Sequence, residues 1–188
     1  MNDTLCGRYG LKFHPFSPDV PSQALLVTPA ISSFVWRVEQ LAREGGFALV
    51  TGMPGQGKSA ALRLVVLALK NVRDLRVEIL SRPQCHVHDF YRELGELFDV
   101  PLSPHNRWAG SKVLRDRWNE HIDASLFRPV LLLDEAQEVR PQVLTEIRML
   151  TSAQLDSKQL LTVVFSGDHR LPDRLRQPDL LPIGSRIR

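Results

Sequence analysis

The segment ALVTGMPGQGKSAALRLV, residues 48–65, determines which fold this chain can adopt. Its apolar start predicts a short buried strand, and the apolar residues after Lys58 recur with the spacing of a helix. Between them lies GMPGQGKS, residues 52–59, which matches the phosphate-binding loop G-x-x-x-x-G-K-[ST]. A strand, this loop and a helix in that order are the context that the motif requires. The segment therefore predicts a site for a nucleoside triphosphate.

The residue types in this loop suit phosphate chemistry. Glycines let the backbone turn tightly enough for several N–H groups to face one phosphate, and the following helix adds its positive amino end. Lys58 can reach the β- and γ-phosphates as a point charge, and the Ser59 hydroxyl is a ligand for Mg²⁺. The residues expected to contact the nucleotide are Gly52, Met53, Pro54, Gly55, Gln56, Gly57, Lys58, Ser59 and Ala60.

A second motif, VLLLDEAQ at residues 130–137, supplies acidic partners for the loop. An apolar strand ends here in Asp134 and Glu135, and the carboxyl ends of parallel strands face the ligand crevice. We expect Asp134 to hold Mg²⁺, Lys58 to contact the γ-phosphate and Glu135 to deprotonate the attacking water. Two adjacent carboxylates favour an ATPase with an additional strand between its two motifs over a GTPase or a small-molecule kinase.

Short apolar strands alternate with helices along the rest of the chain, which predicts an α/β fold with a parallel sheet covered on both faces. The predicted strands are residues 47–51, 75–80, 129–136 and 160–165. The predicted helices are residues 29–44, 58–70, 87–98, 109–126 and 141–150. A chain of 188 residues suits one domain with one hydrophobic core. We expect an irregular lead-in over residues 1–29 that flanks the nucleotide, and an ATPase core over residues 30–188.

The last predicted strand leads into FSGDHR, residues 165–170, which brings polar side chains to the same edge of the sheet. Ser166 or Asp168 would then lie near the γ-phosphate and sense it, and Asp168 is the preferred candidate. The alternative is a turn in which both side chains only satisfy backbone groups.

The composition excludes few classes of protein. The 24 Lys and Arg residues exceed the 21 Asp and Glu residues, for a formal charge of +3, which permits a nucleic-acid partner without requiring one. Two cysteines without a paired motif and the lack of an apolar run of about 18 residues favour a cytoplasmic protein without a membrane segment. Trp36 and Trp118 lie on the apolar faces of their predicted helices, and we expect both in the core.

Several stretches together resemble one family of ATPases. They are YGLKFHPFS, TGMPGQGKS, LLLDEAQ and VVFSGDHRLPDRL followed by GSRIR, at residues 9–17, 51–59, 131–137, 163–175 and 184–188. In this order they resemble the ExeA/TniB/TnsC branch of the AAA+ ATPases, P-loop NTPases of the additional-strand (ASCE) class that include transposition helper proteins. The resemblance implies a parallel sheet in the order 5-1-4-3-2, followed by a small helical lid.

The resemblance also implies roles for residues outside the two motifs. Phe13 and Phe16 would flank the adenine. Arg186, or failing it Arg188, would reach the ATP of a neighbouring subunit, so that hydrolysis depends on assembly. The chain ends at Arg188, where the family continues into strand five and the lid. We therefore expect a truncated chain in which the apolar strand 47–51 forms an exposed edge.

Three hypotheses for the function follow from the motifs and the resemblance. The first is a Mg²⁺-dependent ATPase that binds double-stranded DNA, forms a homo-oligomeric ring or filament on ATP binding, and assists a transposase or recombinase. The second keeps the ATPase and assigns it to secretion, the other task of ExeA-type proteins. The third is a nucleotide-binding interaction module without turnover.

Overall fold

The computed structural model describes residues 2–14, 17, 19–102, 107–153 and 157–188. The helices are α1 (Asn2–Tyr9), α2 (Pro29–Glu44), α3 (Lys58–Lys70), α4 (Val87–Leu97), α5 (Arg107–Asp123), α6 (Pro141–Thr151), α7 (Arg170–Leu175) and α8 (Leu181–Gly184). The strands are β1 (Gly46–Thr51), β2 (Leu75–Leu80), β3 (Arg128–Leu133), β4 (Ser152–Ala153), β5 (Lys158–Gln159) and β6 (Thr162–Gly167). Short 3-10 turns cover Ser22–Ala24 and Ala136–Glu138.

A four-stranded parallel sheet in the order β1-β6-β3-β2 forms the centre of the molecule. Strand β6 lies between the strand that precedes the phosphate loop and the strand that precedes the acidic pair. Its Val163 pairs with Phe47 on one side and Leu131 on the other. This order is the 1-4-3-2 portion of the predicted sheet, and it confirms the α/β fold.

The end of the chain meets the outer edge of β1. Ile187 forms a parallel bridge with Phe47, and the Arg188 main-chain N donates a hydrogen bond to the Phe47 carbonyl oxygen at 3.0 Å. This is the place of strand five in the predicted order. The edge of β1 that the sequence predicts to be exposed is thus paired, at Phe47, with Ile187 and Arg188.

Two apolar layers cover the faces of the sheet. Helices α2 and α3 pack on one face, where the buried residues include Val38, Leu41, Val65, Leu69, Val130, Leu132 and Val164. Helices α4, α5 and α6 pack on the other face, where they include Phe90, Leu94, Leu114, Ile147, Leu131, Leu133 and Phe165. Successive residues of β3 alternate between the layers, as the pleat of a strand requires. Burial on both faces explains why its sequence is continuously apolar.

The predicted bounds of α2, α3 and β2 match the structure, whereas β3 ends three residues earlier than predicted, at Leu133. Asp134 and Glu135 therefore follow the strand instead of belonging to it. Helices α1, α7 and α8 and the small antiparallel pair β4–β5 are not predicted from the sequence. The division of the chain into a lead-in over residues 1–29 and an ATPase core over residues 30–188 stays a prediction. Among the helices described, none is both long and apolar enough to cross a membrane.

The two tryptophans expected in the core differ in burial. Trp118 is fully buried at 0% exposure, and its ring meets Phe98 edge to face with centroids 5.1 Å apart. Trp36 is 62% exposed, so the expectation for it is wrong. On α2 the buried face is set by Val38, Leu41 and Ala42. Trp36 lies two positions before Val38, about 200° around the helix from it.

This difference predicts unequal effects of the same substitution. Trp118→Ala should lower the free energy of unfolding by about 3–5 kcal/mol, because it leaves a large cavity between α5 and its neighbours. Trp36→Ala is the matched control and should change it by less than about 0.5 kcal/mol. Urea unfolding followed by circular dichroism measures both. Similar losses for the two variants would contradict the different burial of the two rings.

Candidate active site at the phosphate loop

The loop between β1 and α3 owes its shape to glycine. Gly55 and Gly57 have φ values of 82° and 85°, in the left-handed region that glycine adopts without strain. Gly57 is the residue that caps the amino end of α3, and the helix begins at Lys58. The first turn of the 13-residue helix therefore presents unpaired N–H groups and the positive end of its dipole to the loop. This is the backbone arrangement that binds phosphate.

Side chains of the loop hold it closed. The Met53 main-chain N donates to Gln56 Oε1 at 2.7 Å, and the Lys58 ammonium donates to the Met53 carbonyl oxygen at 3.3 Å. A Cβ on Gly52 would lie 2.8 Å from Gln56 Oε1, so a larger residue there would push the Gln56 side chain out of its place. These contacts place the Lys58 ammonium at the loop, where a phosphate would meet it.

The Asp134 carboxylate joins the loop to the sheet. Ser59 Oγ donates to Asp134 Oδ2 at 2.9 Å, and Ser166 Oγ donates to Asp134 Oδ1 at 2.7 Å. The three residues come from the start of α3 and the ends of β3 and β6, so they meet at the carboxyl edge of the sheet. The structure thus brings together the two predicted Mg²⁺ ligands and one of the two predicted sensors.

The donor set at this point fits Mg²⁺. A serine hydroxyl and a carboxylate are hard oxygen ligands, and Mg²⁺ is commonly held by one or two such groups together with substrate phosphates. Within the described residues, no group of three or more His, Cys, Asp or Glu side chains could hold a metal ion alone. A serine hydroxyl with one carboxylate suits an ion that arrives with a nucleotide.

Glu135 is directed differently from Asp134 by its backbone. Its φ of 50° and ψ of 42° lie in the left-handed region, which a residue with a side chain rarely adopts. Its carboxylate accepts a hydrogen bond from Gln137 Nε2, and its main-chain N donates to Asp134 Oδ1 at 2.9 Å. The two adjacent carboxylates consequently have different partners.

The two predicted sensors also have different surroundings. Ser166 is buried against Asp134, whereas the Asp168 carboxylate accepts hydrogen bonds from Arg170 N and Arg170 Nε, each at 2.8 Å. Although partial burial of Asp168 acts to raise its pKa, these hydrogen bonds and the Arg170 charge lower the pKa below its usual range. Arg170 also pairs with Glu138 at 2.9 Å. The choice between Ser166 and Asp168 as sensor stays a prediction.

Of the residues assigned by resemblance, the two arginines lie away from this cluster, and one phenylalanine is outside the described residues. Phe13 is about half exposed, and Phe16 lies outside the described residues. Arg186 is beside the Phe47–Ile187 bridge, and Arg188 pairs with Glu44 at 2.8 Å. Both arginines are therefore near the amino end of β1, while the phosphate loop follows its carboxyl end. A contact with nucleotide would have to be with that of a neighbouring subunit, and it stays a prediction.

The residues that hold Glu135 are not predicted from the sequence. Gln137 contacts Glu135 and Asp168, and the Arg174 guanidinium donates to the carbonyl oxygens of Gln137 and Val139. The one signal in the sequence is that Gln137 is the last residue of the motif VLLLDEAQ, two positions after Glu135. Its partners after β6 are more than 30 residues away along the chain, so no local spacing could reveal them.

Comparison with known proteins identifies the family. A sequence profile described as "AAA domain" matches residues 41–175. This chain belongs to the AAA domain family. The phosphate loop, the acidic pair and Ser166 of the AAA domain all lie within the matched range.

A curated relative and two solved structures resemble the chain. General secretion pathway protein A of Aeromonas hydrophila is 35% identical over 146 residues, which cover 76% of this chain and 26% of that protein. The chain thus spans about a quarter of the relative's length. Cdc6p from Pyrobaculum aerophilum superimposes with a TM-score of 0.67 at 17% identity, over 92% of this chain and 47% of that one. The Aeropyrum pernix ORC1 protein in complex with DNA gives 0.60 at 18% identity, over 92% and 47%. At these identities the two structures show a shared AAA+ fold.

The contacts of Asp134 predict how Mg²⁺ affects nucleotide binding. In the Asp134→Asn variant, the gain in ATP affinity on adding Mg²⁺ should shrink by about tenfold or more, because a neutral amide is a weaker ligand than a carboxylate. Titration with a fluorescent ATP analogue, with Mg²⁺ and with EDTA, measures the ratio. Asp116→Asn, the same change at an exposed position on α5, should leave it unaltered. An undiminished Mg²⁺ effect in Asp134→Asn would remove Asp134 as a ligand.

Proposed function

We propose that this AAA domain binds ATP with Mg²⁺ at residues 52–60 and hydrolyses it with Glu135 as general base. The observation that carries the proposal is the hydrogen-bonded set Ser59–Asp134–Ser166, which lies next to a phosphate loop of the required backbone shape. Glu135, which directly follows Asp134 in the chain, has an exposed carboxylate. The site thus contains a phosphate cradle, a cation site and a base within one edge of the sheet.

Each residue of the site has a distinct task in the proposed reaction. The N–H groups of the loop and the Lys58 ammonium bind the β- and γ-phosphates. Ser59 and Asp134 hold Mg²⁺, which neutralises charge on the phosphates when it is bound. Glu135 takes a proton from the water that attacks the γ-phosphorus, and ADP leaves as inorganic phosphate forms. Ser166 or Asp168 senses the γ-phosphate from the end of β6.

The proposal includes assembly of several copies. Arg186 of one copy would supply positive charge to the γ-phosphate in the site of the next, as trans arginines do in related ATPases. ATP then stabilises the contact between copies, and hydrolysis weakens it. The nucleotide acts as a switch for a homo-oligomer.

For the work that this switch performs, the similarity to known proteins favours secretion over transposition. The curated relative is a secretion-pathway protein at 35% identity, and neither it nor the two solved structures points to a transposase or recombinase partner. We therefore propose an ExeA-type secretion ATPase as the first candidate. Binding to double-stranded DNA is the second candidate, because the ORC1 protein of similar fold was solved in complex with DNA. Cytoplasmic location without a membrane partner stays a prediction.

Two substitutions separate binding from hydrolysis. Lys58→Ala should weaken ATP binding by about 10- to 100-fold, because it removes a charge-assisted contact with the phosphates. Glu135→Gln should retain binding and lose about 100-fold or more of kcat, because the amide cannot accept the proton of water. Fluorescent-nucleotide titration and phosphate release measure the two effects. Lys70→Ala, at the exposed end of α3, is the control for Lys58.

Equal turnover in Glu135→Gln and the parent chain would exclude Glu135 as the base. ATP binding by a parent chain that releases no phosphate would instead support the nucleotide-binding module without turnover.

A DNA titration separates the two candidate tasks. Fluorescence anisotropy of a labelled duplex is followed with ATP and Mg²⁺, with ADP, and without nucleotide, using Lys58→Ala as the control. A secretion ATPase should give the same weak, salt-sensitive signal in every arm, because only non-specific charge attraction contributes. Tight binding that requires ATP and disappears in Lys58→Ala would favour the DNA candidate.

A further inference from the structure

The side-chain amide of Gln137 connects two parts of the site. Its Nε2 donates to Glu135 Oε2, and its Oε1 accepts from the Asp168 main-chain N at 3.1 Å. A carboxylate only accepts and a main-chain N–H only donates, so both partners fix the same orientation of the amide. Gln137 is 8% exposed, which means that these partners replace water.

The end of β6 leaves room for this amide. A Cβ on Gly167 would lie 2.7 Å from Gln137 Oε1 and 2.6 Å from Leu171 Cδ2. Any other residue at position 167 would therefore push against the ends of the Gln137 and Leu171 side chains. Glycine at this position leaves the space that the amide occupies beside the Asp168 N–H.

The 3-10 turn that contains Gln137 is also bound by residues that follow β6. Arg174 donates to the carbonyl oxygens of Gln137 and Val139, one from each terminal nitrogen. Arg170 pairs with both Glu138 and Asp168. The segment after β6 thus binds the turn after β3 through main chain, side chain and charge. Among these contacts, Gln137 makes the one that reaches Glu135.

We propose that Gln137 is a positioning residue that sets the Glu135 carboxylate according to the position of the segment after β6. The inference rests on the proposed function, in which Glu135 is the base and the end of β6 contacts the γ-phosphate. A shift of the Asp168 main chain moves the acceptor end of the amide, and its donor end carries the Glu135 carboxylate with it. Gln137 acts through Glu135 and touches no substrate.

The physical basis is the freedom that Glu135 would otherwise have. Its side chain is exposed and has three rotatable bonds, and Asp134 already occupies the adjacent polar groups. A single charge-assisted hydrogen bond selects one of several rotamers. Misplacement of a catalytic group by about 1 Å can cost about 100-fold in rate, so loss of this bond should lower kcat.

Two substitutions of Gln137 test its two hydrogen bonds separately. Gln137→Glu keeps the size of the side chain and an acceptor for the Asp168 N–H, but it replaces the donor to Glu135 with a repelling carboxylate. Gln137→Leu removes both contacts and keeps an apolar filling for the site. Gln142→Leu, the same change at an exposed position on α6, is the control. Urea unfolding confirms that each variant is folded.

The expected result is a separation of kcat from binding. Both Gln137 variants should lose about 10- to 100-fold of kcat with ATP affinity within about twofold of the parent, and Gln142→Leu should match the parent. Amide hydrogen exchange at Asp168, read by NMR, should become faster in Gln137→Leu and stay slow in Gln137→Glu. A residue that only packs would give a normal kcat in the glutamate variant, since its size is unchanged.

The parent and Glu135→Gln chains are measured first. Turnover that is present in the parent and lost in Glu135→Gln establishes the proposed function, and an unchanged kcat in both Gln137 variants then overturns this inference alone. If the parent has no turnover, the proposed function fails separately. The exchange measurement still decides the contact in that case: unchanged exchange at Asp168 in Gln137→Leu overturns the inference.

Discussion

The site depends on a single carboxylate, that of Asp134, whose two oxygens bind side chains from different elements. One oxygen accepts from Ser59 at the start of α3, and the other accepts from Ser166 at the end of β6. The register of the sheet makes this possible. Leu133 pairs with Phe165, so Asp134, which follows β3, lies beside Ser166 in β6. A shift of one residue would turn Ser166 to the opposite face. The strand pairing and the proposed cation site therefore depend on the same register.

The second requirement of the proposed site is that two adjacent carboxylates have different roles. In an extended strand, Asp134 and Glu135 would face opposite sides of the sheet, and one of them would be buried. Ending β3 at Leu133 and placing Glu135 at a φ of 50° avoids that outcome. The strained residue is held by the turn that follows it, and that turn is held by Arg174. Local backbone strain at a functional site is thus offset by contacts outside it.

The parts of the structure that follow from sequence are those that local chemistry decides. The bounds of α2 are predictable because Thr28 caps its first turn, Pro29 suits its first position and Gly45 ends it at a φ of 89°. The phosphate loop is predictable for the same reason. The exposure of Trp36 is not predictable in this way. An apolar residue beside the apolar stripe of a helix does not show whether the sheet or another helix covers it. The role of Gln137 could not be predicted because Asp168, its partner after β6, is 31 residues away along the chain, and only the sheet order brings the two together.

The position of Arg186 limits how the proposed switch can operate. It lies beside the bridge between Ile187 and Phe47, at the amino end of β1, while the loop at residues 52–59 follows the carboxyl end of the same strand. While the bridge between Ile187 and Phe47 is kept, Arg186 of one copy stays at the opposite end of β1 from its own phosphate loop. In the proposed assembly each site is completed by a neighbour, so ATP binding and subunit contact stabilise each other by the same free energy. A base that is set by the segment after β6 would then respond to the same γ-phosphate that holds the subunits together.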